Sequence, residues 1–581
     1  MLLRNVFVLA LSMLLRTAAF AQAPVAPPPP DAEIRKILVD RIGSPTSGQA
    51  LVVGVIDANG RRVIAYGSLA KDDQRPLNGD TIFEIGSMTK VFTSLVLMDM
   101  VLKGEVALTD PVSKYLPGVK VPERNSRNIT LQDLSTQSSG LPRMPSNFHP
   151  KDQSNPYADY TVEQLYQFLS GYQLTRDIGS QYEYSNLGVG LLGHALTLRA
   201  RMDYESMLRS RILDPLGMTS TRVTLTPEMK AHLALGHGPS MSVVSNWDLG
   251  PAFAGAGALR SSANDILTFL GANLGYTKTQ LATAMAAEIS IRRPAGSPDM
   301  QIAYAWHIQN KDGNSIVWHN GGTGGYRTFM GFDPKSRTGV VVLSNIASAA
   351  GPDDIGRHLL DSSYPLQKVE PIKEHTEITL DPKVLSNYVG SYELGANAIL
   401  TISREGNQLF SQLTGQNKIP VFPESERKFF LKVVNAQLTF DTGVQGKSTQ
   451  VTLHQNGRDM VAKRIDEAQA TALGAALAKR IKDQTALPGS EAALRRVIDE
   501  LRSGEPKYEL MSPAFADLTR QQLPQLKGLL AQFGAVETVT FKGVGAGGAD
   551  IYELKFEHAS SEWRITLAAD GKIAGVGVRP L

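Results

Sequence analysis

Hydrophobic and polar positions change register along the chain, and the changes mark its elements. Residues 50–56 and 63–67 are rich in β-branched and apolar side chains. Asn59-Gly60 between them suits the positive φ of a tight turn, so the pair predicts a hairpin. Residues 89–103 are apolar around most of a helical circumference and close at Gly104, which predicts a buried helix. Residues 316–318, 327–332 and 339–344 read as sheet strands separated by glycine-rich turns, completing a mixed pattern that runs from Asp31 to Tyr364. A proline- and charge-bearing stretch, 365–382, predicts a boundary. Beyond it, short strand-like runs at 399–403, 408–413, 428–433, 437–441 and 450–454 have Gly406-Asn407 and Asn456-Gly457 at their turns. They predict a small antiparallel barrel or sandwich ending near Ile465. An alanine-rich connector helix follows at 467–482, and from Gly489 two helical patterns precede three or four strands. The expected units are 32–365, 378–465, a helical connector at 466–488, and 489–581.

The N-terminus and the composition narrow the function classes. Arg4, an apolar run at 6–15 and Ala19-Phe20-Ala21 have the three parts of a cleavable signal peptide, expected at 1–21. The apolar run is shorter than the roughly 20 residues a membrane span needs, and no later stretch is long and apolar enough. The mature chain is therefore expected to be exported, periplasmic or secreted, without a stable membrane span. The APVAPPPP segment within 22–31 reads as a stiff, extended tether. Lys and Arg number 59 against 56 Asp and Glu; loss of Arg4 and Arg16 with the leader leaves 57 against 56, no polybasic face for nucleic acid. Cysteine is absent, which excludes disulfides, thiol catalysis and cysteine-held metal sites. The ten histidines show no metal-binding spacing.

The candidate chemistry begins at Phe83-Glu84-Ile85-Gly86-Ser87-Met88-Thr89-Lys90. Residues three apart share a helical face, so Ser87 and Lys90 meet if this turn is helical. A serine hydroxyl needs a base to become a nucleophile, and a lysine amine is one once burial or a helix dipole lowers its pKa. S-x-x-K recurs at Ser68–Lys71 and at Ser425–Lys428, but only Ser87 opens a buried helix. Two further elements join it. Tyr184-Ser185-Asn186 is the chain's only Y-x-N, and His319-Asn320-Gly321 is its only H-x-G, running into Gly322-Thr323-Gly324-Gly325-Tyr326.

In this order the three motifs resemble those of the serine β-lactamase and penicillin-binding-protein superfamily, nearest its class C-like branch of esterases, D-amino-acid peptidases and DD-peptidases. The resemblance covers residues 34–362 and extends to the segments at 104–111, 139–142, 255–261 and 331–334. It implies an α+β fold, a β-lactamase/transpeptidase-like catalytic domain with an antiparallel sheet flanked by helices, followed by a small β-barrel and a small α+β domain. It also implies acyl transfer: Ser87 as nucleophile, Lys90 and Tyr184 as a coupled proton network, Asn186 donating to the substrate or to Lys90. The oxyanion would lie between the backbone N–H groups of Ser87 and Gly322, where glycine at 321 and 322 leaves room for a substrate backbone. The expected substrates are β-lactams, peptidoglycan-type D-amino-acid peptides or small esters, and the acyl-transfer chemistry that the resemblance implies would require no metal or organic cofactor.

The pattern departs from the family in two places. Dedicated β-lactamases usually carry lysine where this chain has His319, a side chain mostly neutral at pH 7 if its pKa is ordinary. Arg327, eight residues on, is a candidate partner for a substrate carboxylate. A usual histidine is replaced by Gln137. The unit at 378–465 resembles the lipocalin-like barrel appended to many class C-like hydrolases, opening at Asn387-Tyr388-Val389-Gly390-Ser391-Tyr392. Gly543 to Gly548 matches G-x-G-x-x-G, but a strand-like run follows, which predicts a hairpin loop and no dinucleotide site. Asn128-Ile129-Thr130 fits a glycosylation acceptor. The alternatives to an exported serine hydrolase are a penicillin-binding acyl trap without turnover and a non-catalytic binding protein acting through its C-terminal domains.

Overall fold

The structure is a computed structural model. It describes residues 27–580 except 240, 349–350, 369–374, 396–397, 415, 433, 435, 444–445, 456–457, 546 and 569. The expected leader, the start of the tether and the Asn456-Gly457 turn lie outside the described residues.

The first unit is built on an eight-stranded antiparallel sheet. Its strands are β1 (Ala50–Asp57), β2 (Gly60–Gly67), β3 (Arg293–Ala295), β4 (Ser297–Ile302), β5 (His307–Lys311), β6 (Asn314–Gly322), β7 (Arg327–Asp333) and β8 (Thr338–Ser344). They lie in the order β2-β1-β8-β7-β6-β5-β4-β3. Five helices frame the sheet and the site: α1 (Asp31–Ile42), α2 (Thr89–Leu102), α3 (Asn186–Ala200), α4 (Ala263–Asn273) and α5 (Asp353–Leu360). The strand period of two sends alternate residues to opposite faces. Leu51, Val53 and Val55 of β1 with Val340 and Val342 of β8 pack against Ile34, Leu38, Ile355 and Leu359 of α1 and α5. Ala50, Val52 and Ile56 with Val341 and Leu343 meet the larger helical layer containing Phe92 and Phe269. Both faces are covered, which is why β1 and β8 read as nearly continuous apolar runs. Every residue of α2 from Thr89 to Met100 is buried, as its apolar circumference predicts.

The C-terminal region carries two further units. Eight strands, from Gly390–Gly395 to Arg458–Ile465, form a closed barrel; the first and last strands pair through Ser391 and Ile465. The five predicted strands are present, and the barrel adds three: Gly390–Gly395, Arg458–Ile465 and Ile419–Pro423, the last hidden from a strand reading by its two prolines. After the helix Glu467–Asp483, the helices Ser490–Ser503 and Pro513–Phe533 pack on a four-stranded antiparallel sheet. Gly543 and Val544 end the strand Val536–Val544, which pairs antiparallel with Asp550–Phe556, so the G-x-G-x-x-G match runs into a hairpin turn, as expected. No described helix is long and apolar enough to cross a membrane.

One buried acid carries a stability prediction. Glu288 is fully buried, with the Trp306 indole as its polar neighbour, and burial raises its carboxyl well above the usual range. The unfolded chain therefore releases this proton at lower pH than the folded chain. Stability is full below the ordinary carboxylate range and falls as pH rises toward the folded value. Glu288→Gln removes that ionisation. Thermal melts are expected to match wild type near pH 4 and to exceed it at pH 8; a lower midpoint at pH 8 would contradict this reading.

Candidate active site

Ser87 sits on the 3₁₀ turn Gly86–Met88 that leads into α2. The strand before it, Ile82–Glu84, pairs with Arg260–Ser262, and Gly86 takes φ +49°, so the chain bends sharply and leaves Ser87 half-buried between buried neighbours. Three residues on, Lys90 lies on the same face. Its Nζ is 2.9 Å from Ser87 Oγ and donates to the Ala256 carbonyl at 2.6 Å. Lys90 is fully buried and has no carboxylate partner among the described residues. Burial, reinforced by the Arg143 charge, holds its amine well below the ordinary lysine range.

Tyr184 faces the same pair. Lys90 Nζ lies 4.9 Å and the Arg143 guanidinium 5.0 Å from its ring centroid. Burial pushes the phenol up to about 12, opposed by the neighbouring Ser87 hydroxyl and the Arg143 charge. The segment bearing Tyr184 is fastened at both ends. Ser185 caps α3 by accepting from the Gly188 N–H at 2.8 Å, and its own N–H donates to Gln137 Oε1 at 2.7 Å. The Glu183 N–H donates to the Gln137 carbonyl at 2.8 Å. Gln137, which stands where the family resemblance expects histidine, thus holds the tyrosine segment in place.

The end of β6 forms the opposite wall. His319 is buried, its Nδ1 2.6 Å from the Asn320 carbonyl, and its pKa is pushed well below the usual histidine range by burial, then by His307 and Lys90. It is a neutral group inside the wall, with no hydrogen-bond partner at Nε2. Asn320 donates to Asp353 Oδ2 at 2.6 Å. A methyl group at Gly321 would lie 1.9 Å from the Ile85 carbonyl oxygen, and one at Gly86 would lie 2.7 Å from the Gly322 nitrogen. The nucleophile turn and the strand end are therefore in backbone-to-backbone contact, with Ser87 and Gly322 on one wall.

These residues surround a cavity of about 550 Å³. Ser87, Tyr184, Asn186, Gly321, Gly322 and Arg327 line it, while Lys90 and His319 stand immediately behind its surface. Asn186 opens α3, but its Nδ2 points to Tyr157 Oη at 3.3 Å and not to Lys90. Its Oδ1 is buried without a partner. Arg327 turns Nη1 back onto the carbonyls of Thr323 and Tyr326 at 2.8 and 2.9 Å. The lining side chains not marked as site residues from the sequence include Arg143, Tyr157, Trp247 and His307. Arg143 directly follows Ser139-Gly140-Leu141-Pro142, which was the available signal. Trp247 has none; its N–H donates to Glu84 Oε1 at 2.8 Å, and Glu84 pairs with Arg260 at 3.3 Å. That buried ion pair ties the tryptophan wall to the strand preceding Ser87. Among the described residues no group of three His, Asp or Glu side chains is placed to hold a metal ion.

The arrangement puts a serine hydroxyl beside a lysine amine whose proton affinity burial lowers and a phenol whose proton affinity burial raises, a set suited to nucleophilic attack with paired proton transfer. Residues 36–363 match the family model described as Beta-lactamase, and residues 374–465 match a domain of unknown function, DUF3471. Penicillin-binding protein 4* of Bacillus subtilis (strain 168) is 26% identical over 422 residues, covering 69% of this chain and 91% of that protein. The D-alanyl-D-alanine-carboxypeptidase/endopeptidase AmpH of Escherichia coli (strain K12) is 29% identical over 359 residues, covering 58% and 90%. Among solved structures, a beta-lactamase/D-alanine carboxypeptidase from Yersinia pestis complexed with citrate is 26% identical over 54% of this chain and 93% of that one, with a TM-score of 0.47.

Proposed function

Because the chain belongs to the beta-lactamase family, whose model matches residues 36–363, we propose that it is an exported serine hydrolase that opens amide or ester bonds through an acyl-enzyme on Ser87. The observation that carries this reading is the Lys90 amine, buried, without a carboxylate partner and 2.9 Å from Ser87 Oγ. An ammonium in that place would be an uncompensated buried charge, so the neutral amine is the resting form.

The chemistry follows from the two proton affinities. Lys90 Nζ takes the Ser87 proton as Oγ bonds to the substrate carbonyl carbon, and the carbonyl π electrons move to oxygen. That oxyanion is received by the Ser87 and Gly322 N–H groups. As the bond to the leaving group breaks, its electrons stay with the leaving atom. Tyr184, a phenol at neutral pH, gives that atom a proton and recovers one from Lys90. A water molecule repeats the sequence on the acyl-enzyme: its proton goes to the Lys90–Tyr184 pair, the bond to Oγ breaks, and Ser87 regains its hydrogen. Asn186 and Asn320 supply hydrogen bonds to the substrate from the two walls.

D-amino-acid peptides and small esters are the favoured substrates. A neutral, buried His319 gives no cation where dedicated β-lactamases have lysine, so β-lactams are expected to be handled less efficiently. Export rests on the leader-like segment at 1–21. The test is turnover of p-nitrophenyl esters, D-alanyl p-nitroanilide and a chromogenic cephalosporin by the mature protein and by Ser87→Ala. At least one substrate is expected to be turned over, with a loss of about 10⁴-fold or more in the variant. Acylation by penicillin without turnover of any of the three would reassign the chain as an acyl trap. Equal turnover by both proteins would overturn the serine mechanism.

A further inference from the structure

The cavity beside Ser87 is electropositive. Its lining includes Arg143 and Arg327 and no Asp or Glu. The nearby acids are already engaged: Glu84 pairs with Arg260 and accepts from the Trp247 N–H, and Asp353 accepts from Asn320. Lys90 is held behind the wall, and His319 is neutral. Arg327 bonds two carbonyls of its own turn, and Asp353 is its acidic neighbour.

Arg143 differs from all of these. It is exposed, and its side chain makes no hydrogen bond or ion pair among the described residues. Its guanidinium stands over the Tyr184 ring, 5.0 Å from the centroid. Its backbone is fixed: the Arg143 carbonyl accepts from the Asn186 and Leu187 N–H groups at 3.1 and 3.2 Å, which joins it to the start of α3. A planar fork with free donors on a fixed backbone, at the rim of a cavity whose lining has no acids, is complementary to a carboxylate.

We propose that Arg143 is a specificity residue of this site, binding a carboxylate carried by the substrate. The proposal rests on the acyl-transfer reading above and deepens it. It places the anion-binding cation on the loop after Pro142, beside Tyr184, and not on β6. Substrates bearing an acidic group are then preferred to neutral isosteres.

The test uses the full-length mature chain and two matched pairs. In p-nitrophenyl hydrogen glutarate against p-nitrophenyl butyrate the charge is on the acyl half. In N-acetyl-D-alanyl-D-alanine against its C-terminal amide the charge is on the leaving group. Arg143→Gln is expected to lower the acidic-to-neutral ratio of kcat/KM about 10–100-fold in one pair, chiefly through KM, the range expected for a lost charge-assisted bond. The pair that responds tells which half of the substrate the arginine holds. Arg143→Lys, which keeps the charge and loses the fork, is expected to restore part of the ratio. Because a ratio is read, any effect of the Arg143 charge on Lys90 cancels.

Calorimetric titration of the same four compounds into Ser87→Ala, with and without Arg143→Gln, reads the site without chemistry. It separates failure of the carboxylate proposal from failure of the serine mechanism. Equal changes for acidic and neutral members in both pairs, in kinetics or in titration, overturn the proposal.

Discussion

Lys90→Met is expected to lower kcat/KM by about 10²–10⁴-fold while leaving the protein folded, the range typical of a removed general base. Methionine has nearly the length of lysine and suits a site where Lys90 is fully buried among α2 neighbours that are all buried. The substitution removes the cost of burying an amine and takes only the Ser87 contact and the bond to the Ala256 carbonyl with it. Stability is expected to hold or rise as activity collapses, a combination that general misfolding does not produce. The pH profile supplies a second reading. In the wild type the acid limb of kcat/KM is expected to follow Lys90, whose pKa lies well below the ordinary lysine range, with activity falling as the amine gains its proton at lower pH. The alkaline limb is expected to follow Tyr184, pushed up to about 12. Lys90→Met is expected to abolish the acid limb. More than a tenth of wild-type activity with an unchanged acid limb would contradict the assignment.

Gly321→Ala is expected to cost about 10²-fold or more in kcat. The added methyl would lie 1.9 Å from the Ile85 carbonyl oxygen and 2.4 Å from Thr328 Oγ1, the hydroxyl that donates to that same carbonyl at 3.1 Å. Two backbones and a locking side chain meet there, so β6 must move away from the Ser87 turn by a substantial fraction of an ångström. That separates the Gly322 and Ser87 N–H groups, and misplacement on this scale costs about 10²-fold or more. Far-ultraviolet circular dichroism and a cooperative melt establish that the variant folds, and steady-state kinetics give the loss. Activity within threefold of wild type would mean that the strand end does not position the reacting groups.

The parts legible in the sequence were those set by local periodicity. The hairpin of β1 and β2, the buried α2 and the strands β6 to β8 follow from side-chain alternation and turn residues alone. The Ser87–Lys90 contact was legible too, because residues three apart share a face once the turn opening a buried helix is itself helical. What was not legible depends on how distant segments meet. β3 and β4 are short, carry Pro294 and Pro298, and expose much of their length, so no clean alternation marks them. Asn186 was expected to donate to the substrate or to Lys90; its side chain turns to Tyr157, brought in by the 143–160 segment, and not to Lys90. Gln137 looked like a lost histidine and is instead the fastening of the Tyr184 segment, a role that exists only once residues 137 and 185 are adjacent. Arg143 and Trp247 reach the cavity by tertiary packing; the Ser139-Gly140-Leu141-Pro142 segment just before Arg143 was the one local signal, and nothing in the chain marks Trp247.

The central claim is that Ser87 is the atom acylated, and intact-mass spectrometry with peptide mapping tests it most directly. The mature protein is exposed to benzylpenicillin and to a slowly hydrolysed p-nitrophenyl ester, then quenched in acid. Wild type is expected to gain the mass of one acyl group, mapped to the peptide containing Ser87, and Ser87→Ala to gain none. An acyl mass on another residue, or equal labelling of both proteins, would contradict it.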